Sequence, residues 1–402
     1  MSLFAHARTI VARSPARIRD AVESLRVPQN AGTMLFALSA NAWHPDIPAR
    51  LASKASHSVG CISAPLNGAE GMSALSVAFV PDGECVTFSW AKHEHADSAD
   101  DWAAEALGET SQATSHTHPS DSFAFDQPAQ SLSNAHTIVS MTAKPSVTAL
   151  QTETLKRFPA ATQIGLLAAH TPFVTGHPST MFHNGNIVRS GAVGLALTRP
   201  SRSQLTCSLD GFRVLTPPVR VGSARGNIIH TLNKDKATRH LLLAIHNAGM
   251  DVEKAVGKDD EFYLALLRRD SLAVMLSSRT LVLDTSLLDC VLQINSGDPS
   301  RGSIAVESEW GPETGDIVQI LHRSVSTPSE SILQSAPPAG LNFTTSTLEL
   351  LHTWRDNMSD DEVIEMLEVF TANSENGFML RQSFSAAPWV CSFPGVATHL
   401  RL

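Results

Sequence analysis

Short runs of apolar residues recur through the first quarter of the chain. Residues 33–39 and 58–63 are each short, continuous and apolar, which favours buried strands. Residues 47–56, between these runs, are predicted to form a helix. Residues 74–80 and 85–91 are predicted as two further strands, separated by a Pro-Asp-Gly turn signal. This order of elements predicts an α/β layer.

The same style of pattern continues through the middle of the chain. Helices are predicted at residues 146–158 and 234–247. Short strands are predicted around them, at residues 163–170, 186–197, 204–209, 214–221, 227–232, 262–267, 272–276, 280–283, 290–294, 302–306 and 317–322.

The last part of the chain is predicted to begin with a Ser/Pro-rich linker at residues 324–338. Two helices should follow, at residues 346–355 and 360–370. The second is favoured by Ser359 and Glu362, which have the spacing of a capping box. Two short strands close the chain, at residues 377–382 and 389–392.

Charge changes this picture in the region that follows the first strands. The 402 residues contain 30 Lys and Arg and 39 Asp and Glu, a net charge of −9 that argues against a general nucleic-acid surface. Residues 93–143 carry eight acids and no Lys or Arg. Residues 93–135 are therefore predicted to be a flexible acidic insertion, either an interaction tail or a tolerated surface loop. No apolar run is long enough to predict a membrane-spanning helix.

The N-terminus has the opposite charge. Residues 1–19 contain four Arg and no acid, and residues 1–13 place an apolar stripe on one side of a predicted helix. These features are typical of a mitochondrial import leader. The alternative is an ordinary first helix packed on the body of a cytoplasmic protein. Ser14 and Pro15 then predict the cap and the first residue of a second helix, which ends near residue 25.

The sequence offers little recognisable catalytic chemistry. It contains no phosphate-binding loop, dinucleotide-binding glycine motif, zinc-protease motif or hydrolase nucleophile motif. The five cysteines are scattered, and they are predicted to be buried thiols in a reducing compartment: Cys61, Cys85, Cys207, Cys290 and Cys391. The histidine pairs at 93/95 and 116/118 are predicted to be exposed polar residues. We therefore assign no catalytic residue, no metal site and no cofactor.

Six residues are candidate ligand contacts, namely Cys61, Ser63, Ser190, Gly191, Arg225 and Asn227. The first two lie at the carboxyl end of a predicted strand, where α/β sheets tend to place binding sites. The next two fall within a glycine-containing strand, where backbone or ligand can approach closely. The last two lie in a turn whose cation could bind a ligand carboxylate. The alternatives are a structural cysteine at the first position and a plain hairpin at the last.

Several short motifs, taken together in order, resemble a known family. Ser-Val-Gly-Cys-Ile-Ser at 58–63 and Arg-Ser-Gly-Ala-Val-Gly at 189–194 resemble two strands of the FIST family, the F-box and intracellular signal transduction sensory domain. Residues 204–232, 297–306 and 315–319 resemble its later stretches. The resemblance covers about residues 30–322, interrupted by the acidic insertion.

The sequence departs from the family pattern at two points. Ala64 and Pro65 stand where the family has a small glycine, which places a ligand contact there in doubt. No F-box precedes the first strand, so a ubiquitin-ligase adaptor role does not transfer.

The resemblance implies an α/β fold with two mixed β-sheet halves, packed helices and a FIST-like layered architecture. The implied segments are a leader at 1–29, a FIST N-like domain at 30–160 with the insertion at 93–135, a FIST C-like domain at 161–325, and a linker with helices and strands at 326–402.

The implied function is that of a stand-alone sensory or adaptor protein that binds a small ligand, an amino acid or a similar metabolite. The alternatives are an enzyme with an unrecognised α/β active site and a protein-interaction scaffold. The expected partners are a small molecule or a protein, without nucleic acid and without a membrane span.

Overall fold

The protein is described by a computed structural model, which covers residues 6–69, 71–90, 123–125, 135–199, 204–209, 212–251, 260–267, 288–298, 302–306, 311–324, 339–346, 359–381, 389–393 and 395–401. Its helices are α1 (Pro15–Ser24), α2 (Asp46–Ala52), α3 (Val147–Arg157) and α4 (Ala237–Asn247), with 3-10 turns at Ala40–Ala42 and Lys144–Ser146. Its strands are β1 (Arg8–Ala12), β2 (Ala31–Ser39), β3 (His57–Ser63), β4 (Ser73–Pro81), β5 (Cys85–Trp90), β6 (Phe123–Phe125), β7 (Thr137–Thr142), β8 (Thr162–Leu167), β9 (His170–Thr171), β10 (His177–Ser179), β11 (Met181–His183), β12 (Asn186–Val188), β13 (Ala192–Leu197), β14 (Gln204–Ser208), β15 (Phe212–Val214), β16 (Val219–Arg225), β17 (Ile228–Leu232), β18 (Asp235–Lys236), β19 (Asp260–Leu267), β20 (Leu288–Asp298), β21 (Ser303–Val306), β22 (Ile317–Ser324), β23 (Gly340–Thr345), β24 (Val363–Leu367), β25 (Val369–Ser374), β26 (Phe378–Arg381), β27 (Trp389–Cys391) and β28 (Ala397–Arg401).

Seven strands form the first sheet, in the order β12-β11-β3-β2-β4-β1-β24. β2 and β3 run parallel, and the other neighbours are antiparallel. Side chains of β2 alternate between two cores, because Met34 and Phe36 pack with α1 and α2 whereas Leu35 and Ala37 face the opposite side. Burial on both faces explains the continuous apolar run from Met34 to Leu38.

The second sheet packs on that opposite side. Its order is β27-β26-β8-β7-β13-β5-β6, and β7 and β8 run parallel. Val139 and Val193 share a core with Leu35 of the first sheet, whereas Ile138 and Leu150 belong to a separate core beneath α3. The result is four layers: α1 with α2, the first sheet, the second sheet and α3.

Two further β structures adjoin these layers. A four-stranded sheet has the order β14-β28-β23-β25, with β23 and β25 parallel. The remaining pairings run β22-β16-β17-β21-β20-β19 and return from β19 to β22, which closes them into a barrel. Strands predominate over helices, so the structure is a strand-rich form of the predicted α/β class with sparse helical cover.

The sheets combine strands from all of the predicted segments. β24 completes the first sheet and β26 pairs with β8 of the second, although both come from beyond residue 325. The domain boundaries at residues 30, 160 and 325 stay a prediction from the sequence.

The helix predicted for residues 1–13 is wrong over β1. Residues 8–12 form a strand between β4 and β24, with Ile10 and Val11 buried on opposite faces. The β-branched run Thr9-Ile10-Val11 favours a strand, and long-range pairing decides between two patterns that a short segment satisfies equally. Cleavage of a leader after residue 13 would remove β1 and separate β24 from β4 in the first sheet.

The helix predicted for residues 360–370 is also wrong. Ser359 and Glu362 bond to each other, with the Ser359 amide donating to Glu362 Oε2 over 3.3 Å, but strands β24 and β25 follow. Glu368 has a φ of 61° and turns the chain from the first sheet into the four-stranded sheet. Exposure along β24 alternates with period two, because Ile364 and Met366 are half-buried whereas Val363, Glu365 and Leu367 are exposed.

Other predictions are confirmed. The helices predicted at 47–56, 146–158 and 234–247 correspond to α2, α3 and α4. Ser14 caps α1 by accepting from the Ala16 amide over 3.3 Å, with proline in the first turn.

Some predictions fall on residues outside the described ranges. These are the strands at 272–276 and 280–283, nearly all of the helix at 346–355, the histidine pairs, and most of the acidic insertion. The described part of the insertion, β6, pairs with β5.

Thr9 offers a test of the buried role of β1. Its hydroxyl donates to the Val369 carbonyl oxygen (3.0 Å) and accepts from the Thr371 amide (2.9 Å). Thr9→Val leaves that buried amide without its acceptor, so we expect the free energy of unfolding in urea to fall by about 1–3 kcal/mol. Thr152→Val on the exposed face of α3 is the control and should change it by less than about 0.5 kcal/mol. Equal effects of the two variants would contradict a buried β1.

Candidate functional site

The carboxyl ends of three parallel strand pairs meet at one junction in the fold. The pairs are β2 with β3, β7 with β8, and β23 with β25. Backbone bonds connect these ends: the Ala64 amide donates to the Asn373 carbonyl oxygen (2.9 Å), and the Ala169 amide to that of Ile62 (3.1 Å). In α/β proteins such strand ends often carry binding sites, so this junction is the first candidate.

Asn373 is the centre of this junction, and only 1% of its surface is exposed. Its Nδ2 donates to the Pro65 carbonyl oxygen (2.5 Å) and to Asn67 Oδ1 (3.0 Å). Its Oδ1 accepts from Thr344 Oγ1 and from the Ser374 amide, each over 3.0 Å. Because donor and acceptor are both used within the protein, the junction acts as a structural clamp rather than as an open ligand site.

Cys61 and Ser63, two of the predicted ligand contacts, lead into this clamp. They are 0% and 3% exposed, so neither reaches solvent. Burial raises the pKa of the Cys61 thiol well above its usual range, and the nearby Glu375 carboxylate adds to this shift. A neutral, enclosed thiol is a poor nucleophile.

Two other buried cysteines have the same character. Burial raises the pKa of Cys85 to about 11 and that of Cys391 to about 12. The buried thiols predicted from the sequence are confirmed for Cys61, Cys85, Cys207 and Cys391; for Cys290, in β20, the structure describes the backbone alone.

Ser190 and Gly191 do not lie within a strand, contrary to the prediction for residues 186–197. They connect β12 of the first sheet to β13 of the second. Gly191 has a φ of 88°, donates its amide to Ser146 Oγ (3.1 Å) and accepts from the Ala143 amide (3.0 Å). Glycine is therefore required for the passage between sheets.

Arg225 and Asn227 lie at a hairpin of the barrel. Arg225 ends β16 and is exposed, and Asn227 Nδ2 donates to the Val306 carbonyl oxygen over 3.1 Å. The predicted joint site needs these residues beside Ser190 and Gly191, but Ser190 and Gly191 connect the first two sheets whereas Arg225 and Asn227 lie on the barrel. No described hydrogen bond connects them, so a shared site stays a prediction.

A cleft that the sequence did not reveal lies between α1 and the edge strand β24. Its volume is about 750 Å³. An apolar floor is combined with charged groups of both signs; the lining residues are Arg8, Ile10, Arg17, Asp20, Ala21, Ser24, Leu25, Arg26, Asp361, Val363, Glu365 and Leu367. Sequence reasoning missed the cleft because its two walls come from opposite ends of the chain.

Ion pairs cross the cleft from wall to wall. Arg8 Nη1 lies 2.9 Å from Glu365 Oε1, and Arg17 pairs with Asp361. The hydrogen bond that Arg17 donates to Asp361 raises the pKa of the Arg17 guanidinium. Arg26 makes no ion pair with another described residue and is exposed.

The described ranges contain neither a metal-binding cluster of side chains nor a membrane-spanning helix. No group of three or more His, Cys, Asp or Glu side chains in them could hold a metal ion. No helix in those ranges is both long and apolar enough to cross a membrane.

The fold and the cleft together define a strand-rich, layered α/β protein with a charged surface cleft. The model of the FIST N domain matches residues 33–235, half of the chain, and the chain belongs to the FIST family. The resemblance noted in the sequence is thereby confirmed. No match was found among curated proteins. Membership supports a sensory or adaptor role in general.

The cleft lies outside the region that the family model matches. The matched region runs from β2 to β18 and passes the predicted boundary at 160. The cleft is built by the flanking residues 8–26 and 361–367, which complete the sheet that the matched region begins.

Asn373 allows the clamp to be tested. Asn373→Ala leaves a buried hydroxyl, amide and carbonyl without their partner, so the free energy of unfolding should fall by about 2 kcal/mol or more. Asn186→Ala is the control, because Asn186 is exposed and its side chain makes only a 3.5 Å contact with the Asn184 carbonyl oxygen. If Asn373→Ala costs no more than this control in urea titrations, the clamp is not structural.

The raised thiol pKa values predict loss of stability in alkali. The unfolded chain ionises its thiols from about pH 9, whereas the fold keeps Cys85 neutral up to about pH 11. The unfolded state therefore binds fewer protons in this window, and the free energy of unfolding falls as pH rises from 9 to 11. In Cys85→Ala, the free energy of unfolding should fall less steeply between pH 9 and pH 11, by up to about 1.4 kcal/mol per pH unit. Urea titrations at pH 7, 9 and 11 measure it, and an unchanged slope would contradict the shift.

Proposed function

We propose that this FIST protein is a sensory or adaptor module that binds a small zwitterionic metabolite of the amino-acid class in the cleft between α1 and β24. One observation carries the proposal: three guanidinium groups and three carboxylates surround an apolar floor in a cleft of about 750 Å³. That volume lies within the range of about 300–1,000 Å³ that is common for small-molecule sites.

The two ends of a zwitterion have partners of opposite charge in the cleft. Arg26, which is not in an ion pair with a described residue, provides a guanidinium for the ligand carboxylate, and a planar guanidinium suits that group. Asp20, whose Oδ2 lies 3.5 Å from Arg17 Nη1, and Asp361 provide carboxylates for the ammonium group. Leu25 contributes to the apolar floor under the ligand side chain.

The same geometry gives the ligand a way to act on the rest of the protein. A ligand held by Arg26 and Asp361 would bridge α1 to β24, adding to the pair between Arg17 and Asp361. β24 continues through Glu368 into β25, which carries Asn373. Ligand binding would thereby favour the conformation in which the first sheet is complete.

A protein adaptor is the second candidate, and one feature of β24 favours it. As the edge strand of the first sheet, β24 exposes 42% of Val363 and 63% of Leu367. An extended segment of a partner could pair with such an edge and cover these side chains. Mitochondrial location, with the cytoplasm as alternative, stays a prediction.

Arg26 tests ligand binding directly. Thermal-shift and calorimetric titration with the twenty amino acids should find at least one that binds the native chain. Arg26→Ala should weaken that ligand by about tenfold or more, because a charged hydrogen bond is lost. Arg213→Ala, which removes an exposed arginine on β15 away from the cleft, is the control and should leave the affinity unchanged.

The outcomes separate the two candidates. Binding that Arg26→Ala does not weaken would place the ligand elsewhere. If no amino acid binds the native chain, the ligand proposal fails and the adaptor remains. Leu367→Asp should then abolish capture of a partner segment without lowering stability, because its side chain is already in solvent.

A further inference from the structure

A buried arginine lies in the second sheet without a counter-charge. Arg381, at the end of β26, is 1% exposed and faces the core beneath α3. No described acidic side chain forms an ion pair with it. A guanidinium does not lose its proton in a protein, so the charge must be stabilised in another way.

One side of the guanidinium is satisfied by backbone. Arg381 Nη2 donates to the carbonyl oxygens of Phe158 (2.5 Å) and Ala161 (2.8 Å), just beyond the C-terminal end of α3. The partial negative charge of a helix C-terminus favours a cation there. Nε and Nη1 are buried as well, and no described group accepts from them.

Gln163, the residue opposite Arg381, also has a buried donor without a described partner. Gln163 of β8 pairs in register with Arg381, which brings the two side chains together on one face of the sheet. Gln163 Oε1 accepts from Thr154 Oγ1 over 3.2 Å, whereas its Nε2 is buried without a described partner. This register pair therefore presents three buried nitrogen donors without a described acceptor.

The same face carries further unused polar groups. The hydroxyls of Ser140 and Thr142, on β7 beside β8, are buried without described partners. Ser140 and Thr142 lie opposite Gly165 and Leu167, further along β8, so the unsatisfied donors nearest Arg381 are those of its own register partner Gln163. Native proteins rarely leave three buried donor atoms of one register pair unsatisfied, which indicates a missing polar occupant beside Arg381 and Gln163. The donors that surround it require this occupant to be an acceptor.

We propose that Arg381 and Gln163 form a buried binding site for one small anion of the size of chloride or formate. The anion supplies the counter-charge that the described residues do not. Its size is limited because the free nitrogens are enclosed between the second sheet and the α3 layer. This site is separate from the cleft of the proposed function, and its occupant stabilises the fold.

Anion replacement at constant ionic strength tests the site. The chain is heated in sodium gluconate, whose anion is too large to enter, and gluconate is then replaced stepwise by chloride or by formate. The native melting temperature should rise with saturation, because an anion that binds only the folded state stabilises it by mass action. Arg213→Met removes an exposed arginine and should keep the response, whereas Arg381→Met should lose it.

Gln163→Glu gives a second and independent test. It places a carboxylate opposite Arg381 and so replaces the anion with a group of the chain itself. The variant should melt above the native chain in gluconate and should no longer respond to chloride or formate. The proposal is overturned if the native chain shows no saturable response, or if the response persists in Gln163→Glu or Arg381→Met.

Discussion

The pairing of β1 with β24 is the constraint on which the rest of the structure depends. It joins residues such as Arg8 and Glu365, which are 357 positions apart in the sequence. Without this pairing the first sheet would end at β1, and the cleft between α1 and β24 would lose one of its walls. Such a non-local contact must overcome a large loop-closure entropy, which the buried faces of β1 and the hydroxyl bonds of Thr9 help to offset.

The sequence predicts those elements of the fold that local patterns determine, and it fails where pairing between distant segments determines them. β2 and β3 were predicted because a continuous apolar run reports burial on both faces, whatever their partners are. The start of α1 is predicted correctly by its cap Ser14, which is a local signal. β1 was mistaken for a helix because five residues satisfy both periodicities, and β24 because the bond between Ser359 and Glu362 also fits a turn. In both cases tertiary pairing overrides a local preference.

The candidate site shows the same limit more sharply. The family motifs identified residues that are important for the fold, such as Gly191 at the passage between the two sheets. They could not identify the cleft, because its walls come from residues 8–26 and 361–367 and no local pattern connects them. Charge was informative only in retrospect: the arginines of the N-terminal segment, interpreted as a leader, lie opposite Asp361 and Glu365.

The buried polar groups of the protein fall into two kinds, and the difference bears on function. Asn373 uses both its donor and its acceptor within the protein, so it needs nothing from outside and fixes the ends of the parallel strands. Arg381 donates only through Nη2, and its Nε and Nη1 have no described acceptor. In the proposal made above, the contribution of Arg381 to stability therefore depends on an anion from the solvent. In the cleft, Arg8 and Arg17 are balanced by acids across a boundary between two segments, while Arg26 is not paired with a described residue. A ligand that engages Arg26 and Asp361 would strengthen the attachment of α1 to β24, and mass action would then tie occupancy to completion of the sheet. The first sheet is complete only when residues 8–26 and 361–367 pack together. A ligand that binds between these two segments would therefore stabilise the complete sheet, which is the property that a sensory protein needs.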